Sequence, residues 1–194
     1  RCLKSLIYQT YQNIEIIIIY KKSSQYDKEF FDLIKQINEP RIIVIIDSGT
    51  FANQLNEGIK KSKGNIIARM DADDVCKIDR FEKQMAFKKK NDYDVVGSWA
   101  HYITNDGEIS RDLQLPITHN EIRKKIIFFN PILHSAVLMN KTMLDKIGLY
   151  GDNTEYVEDY ELWIRAIHKG YKFGNVPECL VSIRHNPNSL TRGN

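Results

Sequence analysis

The amino-acid sequence predicts an α/β fold in which helices cover both faces of a mostly parallel central sheet, a three-layer sandwich. Three times within the first 70 residues, a segment with helical spacing of apolar residues precedes a short run rich in β-branched residues. Such runs are typical of parallel strands that are buried on both faces, and the alternation predicts right-handed crossovers. With 194 residues, the chain is long enough for one domain with its own core.

The first half contains three predicted helix–strand pairs. In chain order they are helix 2–12, strand 14–20, helix 29–37, strand 42–46, helix 53–62 and strand 65–70. Gly64 lies just beyond the third helix, where glycine commonly ends a helix. Because a βαβ unit begins with a strand, the initial helix indicates that a first strand is missing before Arg1.

The second half mixes helices with short strands. In chain order it contains an amphipathic segment 79–90, an apolar segment 94–104, a hairpin turn 105–108, helix 118–128, strand 135–139, helix 159–169 and strands 171–176 and 180–184. Thr118 and Glu121 have the spacing of a capping box at the start of their helix. Since no linker or repeat interrupts the sequence, we expect a single domain over residues 1–194.

Composition and charge exclude several classes of protein. Hydrophobic residues make up 42% of the chain and charged residues 27%, which argues against disorder. The net charge of +3 is too small to predict a nucleic-acid partner, and no run of about 18 apolar residues predicts a membrane span. Cys2, Cys76 and Cys179 are widely spaced, as expected of free thiols in a reducing cytoplasm.

The strongest chemical signal is an acidic cluster directly after the third predicted strand. Asp71, Asp73 and Asp74 repel one another unless a cation or hydrogen-bond donors neutralise them. At the carboxyl end of a parallel strand they would face the crevice where ligands bind in open α/β sheets. Carboxylate oxygens suit Mg²⁺ or Mn²⁺ bridged to substrate phosphates. The simpler alternative is a solvated acidic turn that caps the next helix.

Residues 69–74, RMDADD, followed by RFEKQ at 80–84, resemble the nucleotide-sugar motif of family-2 inverting glycosyltransferases, which have the GT-A fold. Further segments resemble the same family, in the same order, along nearly the whole chain. They are QTYQN at 9–13, LNEGI at 55–59, SKG at 62–64, VVGS at 95–98, NPILH at 130–134 and EDYELW at 158–163. One segment departs from the family pattern: YKKSS at 20–24 has tyrosine and lysine where many members have two acidic residues.

The resemblance implies a GT-A-like fold with a nucleotide-sugar half at about 1–104. Asp71 and Asp73 would hold Mn²⁺ or Mg²⁺ on the diphosphate of the donor, and Arg69 and Ser24 would belong to the same donor site. His185 is a further candidate for the metal or the diphosphate. Because the acidic pair before Ser24 is replaced, the usual contact with the nucleobase is in doubt.

The resemblance also implies an acceptor half at about 105–194. Asp159 would be the general base on the acceptor hydroxyl, with Glu158 beside the acceptor. His134 and Trp163 would lie on the acceptor side. Inversion needs one base on the attacking hydroxyl and an electrophilic group on the leaving diphosphate, which accounts for two separate acidic clusters. Taken alone, Glu158 and Asp159 are also favourable charges for a helix N-terminus.

The predicted activity is therefore a metal-dependent glycosyl transfer from a nucleotide sugar to a saccharide or lipid-linked acceptor in polysaccharide biosynthesis of the cell envelope. We expect a cytoplasmic protein, with peripheral contact at the inner face of the cell membrane. Two alternatives stay open. One is a weak or inactive relative that binds nucleotide sugars. The other is a haloacid-dehalogenase-like phosphatase, in which Asp71 would attack phosphorus and Asp73 would act as acid or base.

Overall fold

The computed structural model describes residues 1–23, 25–104, 106–152, 154 and 156–184. The helices are α1 (Cys2–Ile7), α2 (Asp27–Ile37), α3 (Phe51–Lys61), α4 (Arg80–Asn91), α5 (His119–Lys125), α6 (Lys141–Ile147) and α7 (Glu158–His168). The strands are β1 (Ile16–Tyr20), β2 (Ile42–Ile46), β3 (Ile66–Ala68), β4 (Val75–Cys76), β5 (Val95–Ile103), β6 (Ile109–Leu113), β7 (Leu138–Asn140) and β8 (Phe173–Arg184). The predicted α/β class is confirmed.

The strands form two sheets in the described residues. Strands β1 and β2 pair in parallel, as predicted. The other sheet has the order β3-β7-β5-β8-β4, with β6 also paired to β5. Within it β5 and β8 are parallel, whereas the β3–β7, β5–β7, β4–β8 and β5–β6 pairs are antiparallel. The prediction of a mostly parallel sheet is therefore wrong for this part of the chain, because β7 runs against both β3 and β5 and β6 turns back on β5.

Two elements of the first half are less regular than predicted. Helix α1 ends at Ile7 because the next residues are held by the chain beyond it: the Thr10 N–H donates to the Ile78 carbonyl (2.8 Å). Strand β2 is not buried on both faces, since Ile43 and Ile46 expose 36% and 52% of their surface. A continuous isoleucine run therefore predicted the strand and its parallel pairing, but not how much of it neighbouring elements cover.

In the second half, helix α6 was not predicted, and two predicted strands form the single strand β8. Helix α6 buries Met143 and Leu144 completely and ends at Ile147, directly before Gly148, whose φ of 90° suits glycine. Strand β8 spans both predicted segments and pairs along β5 through a shift of register beyond Ser98. The capping box of Thr118 at the start of α5 is confirmed.

The main core lies between the six-stranded sheet and helices α5, α6 and α7. Its largest fully buried side chain is Trp163 of α7, which packs edge-on against Phe173 of β8 with the ring centroids 6.0 Å apart. Both the first and the second half of the sequence contribute strands to this sheet. This packing fixes the end of β3 and the start of α7. One of the two acidic segments follows β3, and the other forms the first turn of α7.

Candidate functional site

Arg69, just beyond β3, is the central cation of the site. Its guanidinium donates to both carboxylate oxygens of Asp71 (2.7 and 2.5 Å) and lies over the ring of Phe51 (5.6 Å to the centroid). The Arg69 side chain is only 10% exposed, and a two-point pair with a carboxylate fixes both groups geometrically. Asp71 therefore has both oxygens engaged and is held in one orientation.

The other two carboxylates of the acidic motif have different surroundings. Asp73 is exposed and makes no hydrogen bond or ion pair with any residue that the structure describes. Asp74 is 1% exposed, and its Oδ1 accepts from the Arg184 N–H at the end of β8 (3.1 Å). Burial raises the pKa of Asp74 to about 6. The motif thus offers one open carboxylate, one carboxylate paired with arginine and one that ties the loop to β8.

A buried polar pair on α4, which had no predicted role, supports this loop. Arg80 is completely buried; its Nη2 donates to the Arg69 carbonyl (3.0 Å) and its Nε to Gln84 (2.9 Å). Gln84 in turn donates to the Val96 and Ala136 carbonyls (3.0 and 2.7 Å). Because both side chains bond to backbone, they link the end of β3 to β5 and to the turn before β7. Both residues lie within the resembled motif at 80–84, which was the available signal.

Asp159 lies in the first turn of α7 and is half-buried. The Asn130 side-chain amide donates to its Oδ2 (2.7 Å), and the Tyr160 N–H donates to its Oδ1 (2.8 Å). Burial raises the pKa of Asp159, against the effect of these two hydrogen bonds, and the neighbouring charge of Glu158 raises it further. A carboxylate with a raised pKa is a stronger base at neutral pH than an ordinary one. The geometry is thus suited to accepting a proton.

His134 contacts aromatic side chains from three separate segments of the chain. Its Nε2 lies 2.8 Å from the Tyr150 hydroxyl, and its ring meets those of Phe51 and Trp163 edge-on. Burial, with a smaller contribution from the Arg69 charge, lowers the pKa of His134 well below its ordinary value, so the imidazole is neutral. Trp163 has no exposed surface. It therefore supports His134 from the core and does not itself face an acceptor.

These residues come from distant parts of the sequence and meet around Arg69. The guanidinium that pairs with Asp71 also lowers the pKa of His134, and it offsets a small part of the rise that burial causes in the pKa of Asp159. The structure therefore brings the acidic motif, the 130–134 segment and the start of α7 into one electrostatic neighbourhood. The predicted site residues Ser24 and His185 lie outside the described residues.

An open depression of about 470 Å³ lies where β2 ends and α3 begins. Its lining residues are Asp47, Gly49, Asn53, Asn56, Glu57 and Lys60. A Cβ at Gly49 would lie 2.9 Å from Asp47 Oδ1, so a larger residue here would displace the Asp47 carboxylate. The Arg69 guanidinium lies over the ring of Phe51, the first residue of α3, whose later residues line the depression.

A different trio of possible metal ligands lies on the sheet away from these residues. His101 of β5, Asp112 of β6 and Cys179 of β8 have ligand atoms within 4.8 Å of one another. His101 Nδ1 and Asp112 Oδ1 are 2.6 Å apart, whereas two ligands on one tetrahedral zinc ion lie about 3.3 Å apart. Burial raises the pKa of Cys179, and so does the charge of Asp112. The trio is therefore a hydrogen-bonded pair beside a protonated thiol.

Comparisons with known proteins identify the family. The family model "Glycosyl transferase family 2" matches residues 1–148. The O-antigen biosynthesis glycosyltransferase WbnJ of Escherichia coli is 33% identical, over 95% of this chain and 73% of that protein. The UDP-Gal:alpha-D-GlcNAc-diphosphoundecaprenol beta-1,3-galactosyltransferase of Escherichia coli is 30% identical, over 71% of this chain and 50% of that protein. These matches give the phosphatase alternative no support.

The crystal structure of S. aureus TarS 1-349 in complex with UDP-GlcNAc superimposes with a TM-score of 0.74 at 15% identity. The match covers all of this chain and 56% of that one, so the chain spans a little over half the length of the solved protein. This likeness confirms the GT-A-like fold. Among the described helices, none is both long and apolar enough to cross a membrane. The family model matches residues 1–148, and a relative is 33% identical over 95% of this chain. The chain therefore belongs to glycosyl transferase family 2.

Proposed function

We propose that this glycosyltransferase moves a sugar from a nucleotide-sugar donor to a saccharide or lipid-linked acceptor, with inversion, in the synthesis of an envelope polysaccharide. The observation that carries the proposal is the division of carboxylates around Arg69. Arg69 pairs with Asp71, two positions before the open carboxylate of Asp73, and its charge also acts on the half-buried Asp159, so we assign the first two to the donor and Asp159 to the base. The names of the two Escherichia coli relatives support the polysaccharide and the lipid-linked acceptor.

On the donor side, the side chains fit a divalent cation. Asp73 offers an exposed carboxylate that no described residue engages, and hard cations such as Mg²⁺ and Mn²⁺ prefer such oxygens, completing their shells with phosphates and water. We assign the metal contact first to Asp73, because Arg69 occupies both oxygens of Asp71. When bound, the metal would neutralise charge on the leaving diphosphate. Arg69 would orient Asp71 and add positive charge near the same group.

The nucleotide is assigned to the edge where β1 and β2 end. The two strands run in parallel with Tyr20 opposite Ile46, so Lys21, Lys22 and the depression after β2 share one edge. Ligands of open α/β folds bind at the carboxyl ends of parallel strands. Because tyrosine and lysine stand where many members of the family have carboxylates, nucleotide recognition here would depend more on backbone and stacking contacts.

The exposed Lys22 tests this part of the assignment. The variant Lys22→Asp should bind the donor with unchanged or higher affinity, because recognition through backbone and stacking contacts does not depend on the charge of Lys22. Isothermal titration with nucleotide sugars in the presence of Mn²⁺ measures the change, and Lys90→Asp, on exposed α4 surface, controls for overall charge. A fall in affinity of more than about tenfold would instead make Lys22 a diphosphate contact.

On the acceptor side, the chain's own residues would hold the hydroxyl and take its proton. Asn130 fixes one oxygen of Asp159 and the Tyr160 N–H holds the other. Glu158 lies beside it and is assigned to the acceptor. The neutral His134, hydrogen-bonded to Tyr150, can orient a sugar hydroxyl without adding charge. A lipid-linked acceptor would place the reaction at the cytoplasmic face of the cell membrane, with residues 1–104 binding the donor and 105–194 the acceptor.

A screen of nucleotide sugars, with and without Mn²⁺, tests the proposed function. A donor at a hundredfold excess over its Kd stabilises the protein by about 2.7 kcal/mol, which thermal unfolding detects. We expect at least one nucleotide sugar to stabilise the protein only with metal, and to be slowly hydrolysed to the nucleoside diphosphate. Binding without turnover in the presence of acceptor would indicate the inactive relative, and failure of every nucleotide sugar to bind would overturn the proposal.

A further inference from the structure

Three consecutive apolar side chains are exposed just beyond helix α5. Ile127, Phe128 and Phe129 expose 74%, 79% and 43% of their surface. Single exposed apolar residues are ordinary on a soluble protein. Three adjacent large ones form a contiguous patch, and such patches mark sites of interaction with membranes, ligands or other proteins.

The patch is held out by a well-anchored turn. Ile126, directly before it, is 5% exposed, and its carbonyl accepts a hydrogen bond from the Tyr160 hydroxyl. The N–H groups of Phe128 and Phe129 both donate to the Lys125 carbonyl (2.9 and 3.2 Å). The backbone of this turn is therefore ordered. Ile126 anchors it in the core, and the next three side chains face solvent.

Three basic residues directly precede the same turn. Arg123, Lys124 and Lys125 form the last turn of α5, are all exposed, and make no ion pair with a carboxylate of the described residues. The acidic residue of this helix, Glu121, is turned towards the backbone N–H groups of Ile117 and Thr118 (3.0 and 2.9 Å). Apolar and aromatic side chains next to unpaired basic ones are typical of segments that bind the interface of an anionic bilayer.

We propose that residues 123–129, the basic-apolar tip, dock the protein onto a bilayer that contains anionic phospholipid. Ile127 and the two phenylalanines would enter the headgroup region, and the three basic side chains would lie against lipid phosphates. A symmetric contact with a second copy would bring two clusters of three positive charges together, so the charge favours lipid as the occupant.

The position of the tip connects this inference to the proposed function, on which it rests. The residue after the tip is Asn130, whose side chain holds Asp159. A bilayer at the tip would therefore lie close to the base, and a lipid-linked acceptor could reach Asp159 while its lipid stays in the membrane. Docking thereby restricts the acceptor to substrates presented at the membrane surface.

Co-sedimentation with vesicles tests docking without any donor or acceptor. We expect the protein to bind vesicles of phosphatidylglycerol and phosphatidylcholine, to bind pure phosphatidylcholine weakly, and to dissociate as salt is raised. The variants Ile127→Ser/Phe128→Ser and Lys124→Glu/Lys125→Glu should each weaken binding by at least about tenfold. Matched controls are Ile109→Ser, an exposed apolar residue of β6, and Lys89→Glu/Lys90→Glu at the end of α4. Both should bind like the parent.

Several results would overturn the docking proposal. Equal loss of binding in the α4 control would mean that only overall charge matters, and unchanged binding in the Ile127→Ser/Phe128→Ser variant would exclude insertion. A change in oligomeric state of that variant by sedimentation velocity, without a change in vesicle binding, would assign the patch to a second copy. Donor hydrolysis in solution should be unaffected by every tip variant, which separates failure of docking from failure of the proposed activity.

Discussion

The variant Asp73→Asn is expected to abolish sugar transfer and to weaken nucleotide binding only when Mn²⁺ or Mg²⁺ is present. Asparagine keeps the size of the side chain but removes one negative charge and one carboxylate oxygen from a site for a hard cation. Asp73 is the acidic side chain of the motif that no described residue engages. Its loss should therefore affect the metal and leave the surrounding packing unchanged.

Titration of the nucleoside diphosphate in metal and in chelator measures this effect. Asp92→Asn is the matched control, because Asp92 is 94% exposed and lies in the left-handed conformation at the end of α4, which asparagine also adopts. Asp71→Asn provides a contrast: it breaks the two-point pair with Arg69, so it should weaken binding with and without metal. Equal nucleotide affinity of Asp73→Asn and the parent at saturating metal would remove Asp73 from the metal site.

The three aspartates of the acidic motif show which features of the site a sequence can predict. Three aspartates in four positions predicted an acidic ligand site after a strand. In the structure the motif follows β3, and its first aspartate pairs with Arg69. The sequence could not tell Asp71, Asp73 and Asp74 apart. The open, the paired and the buried carboxylate differ only in tertiary surroundings, such as the Arg184 N–H that reaches Asp74 from the end of β8.

The dependence on tertiary surroundings also explains where the fold prediction was wrong. The isoleucine runs correctly predicted β1, β2 and their parallel pairing, because such runs are local signals. The direction of β3 depends on its neighbour β7, which comes some 70 positions later in the chain, as the Ile66–Asn140 pairing shows. Helix α6, in contrast, had a local signal that was overlooked: Met143, Leu144 and Ile147 at helical spacing, followed by Gly148.

Trp163 and His134 show that the type of a residue does not predict how exposed its side chain is. Both were predicted on the acceptor side because each lies in a segment that resembles the family. Trp163 proves to be fully buried, with its edge against His134. An aromatic residue one turn into an amphipathic helix can face either side until the helix is oriented, and here the core fixes that orientation.

The variant Asp159→Asn should lower kcat by about 10²–10⁴-fold while donor Kd, measured with Mn²⁺, stays within a few-fold of the parent. The carboxylate takes the acceptor proton only as the bond to the anomeric carbon forms, so its contribution appears in the transition state and not in donor affinity. Asparagine can still accept a hydrogen bond but cannot take the proton. Glu158→Gln should cost less, mainly in the KM of the acceptor.

The pH dependence adds a second and sharper test of Asp159. Because burial raises its pKa and the base must be deprotonated, kcat/KM should rise with pH through a pKa above the ordinary aspartate range and then level off. Removing the donor amide with Asn130→Ala should shift this rise to higher pH, since that hydrogen bond favours the charged form. Glu158→Gln should shift it to lower pH, because a neighbouring negative charge is lost. Opposite shifts from two neighbours would identify Asp159 as the titrating base, whereas more than about a tenth of parental kcat in Asp159→Asn would move that role to Glu158.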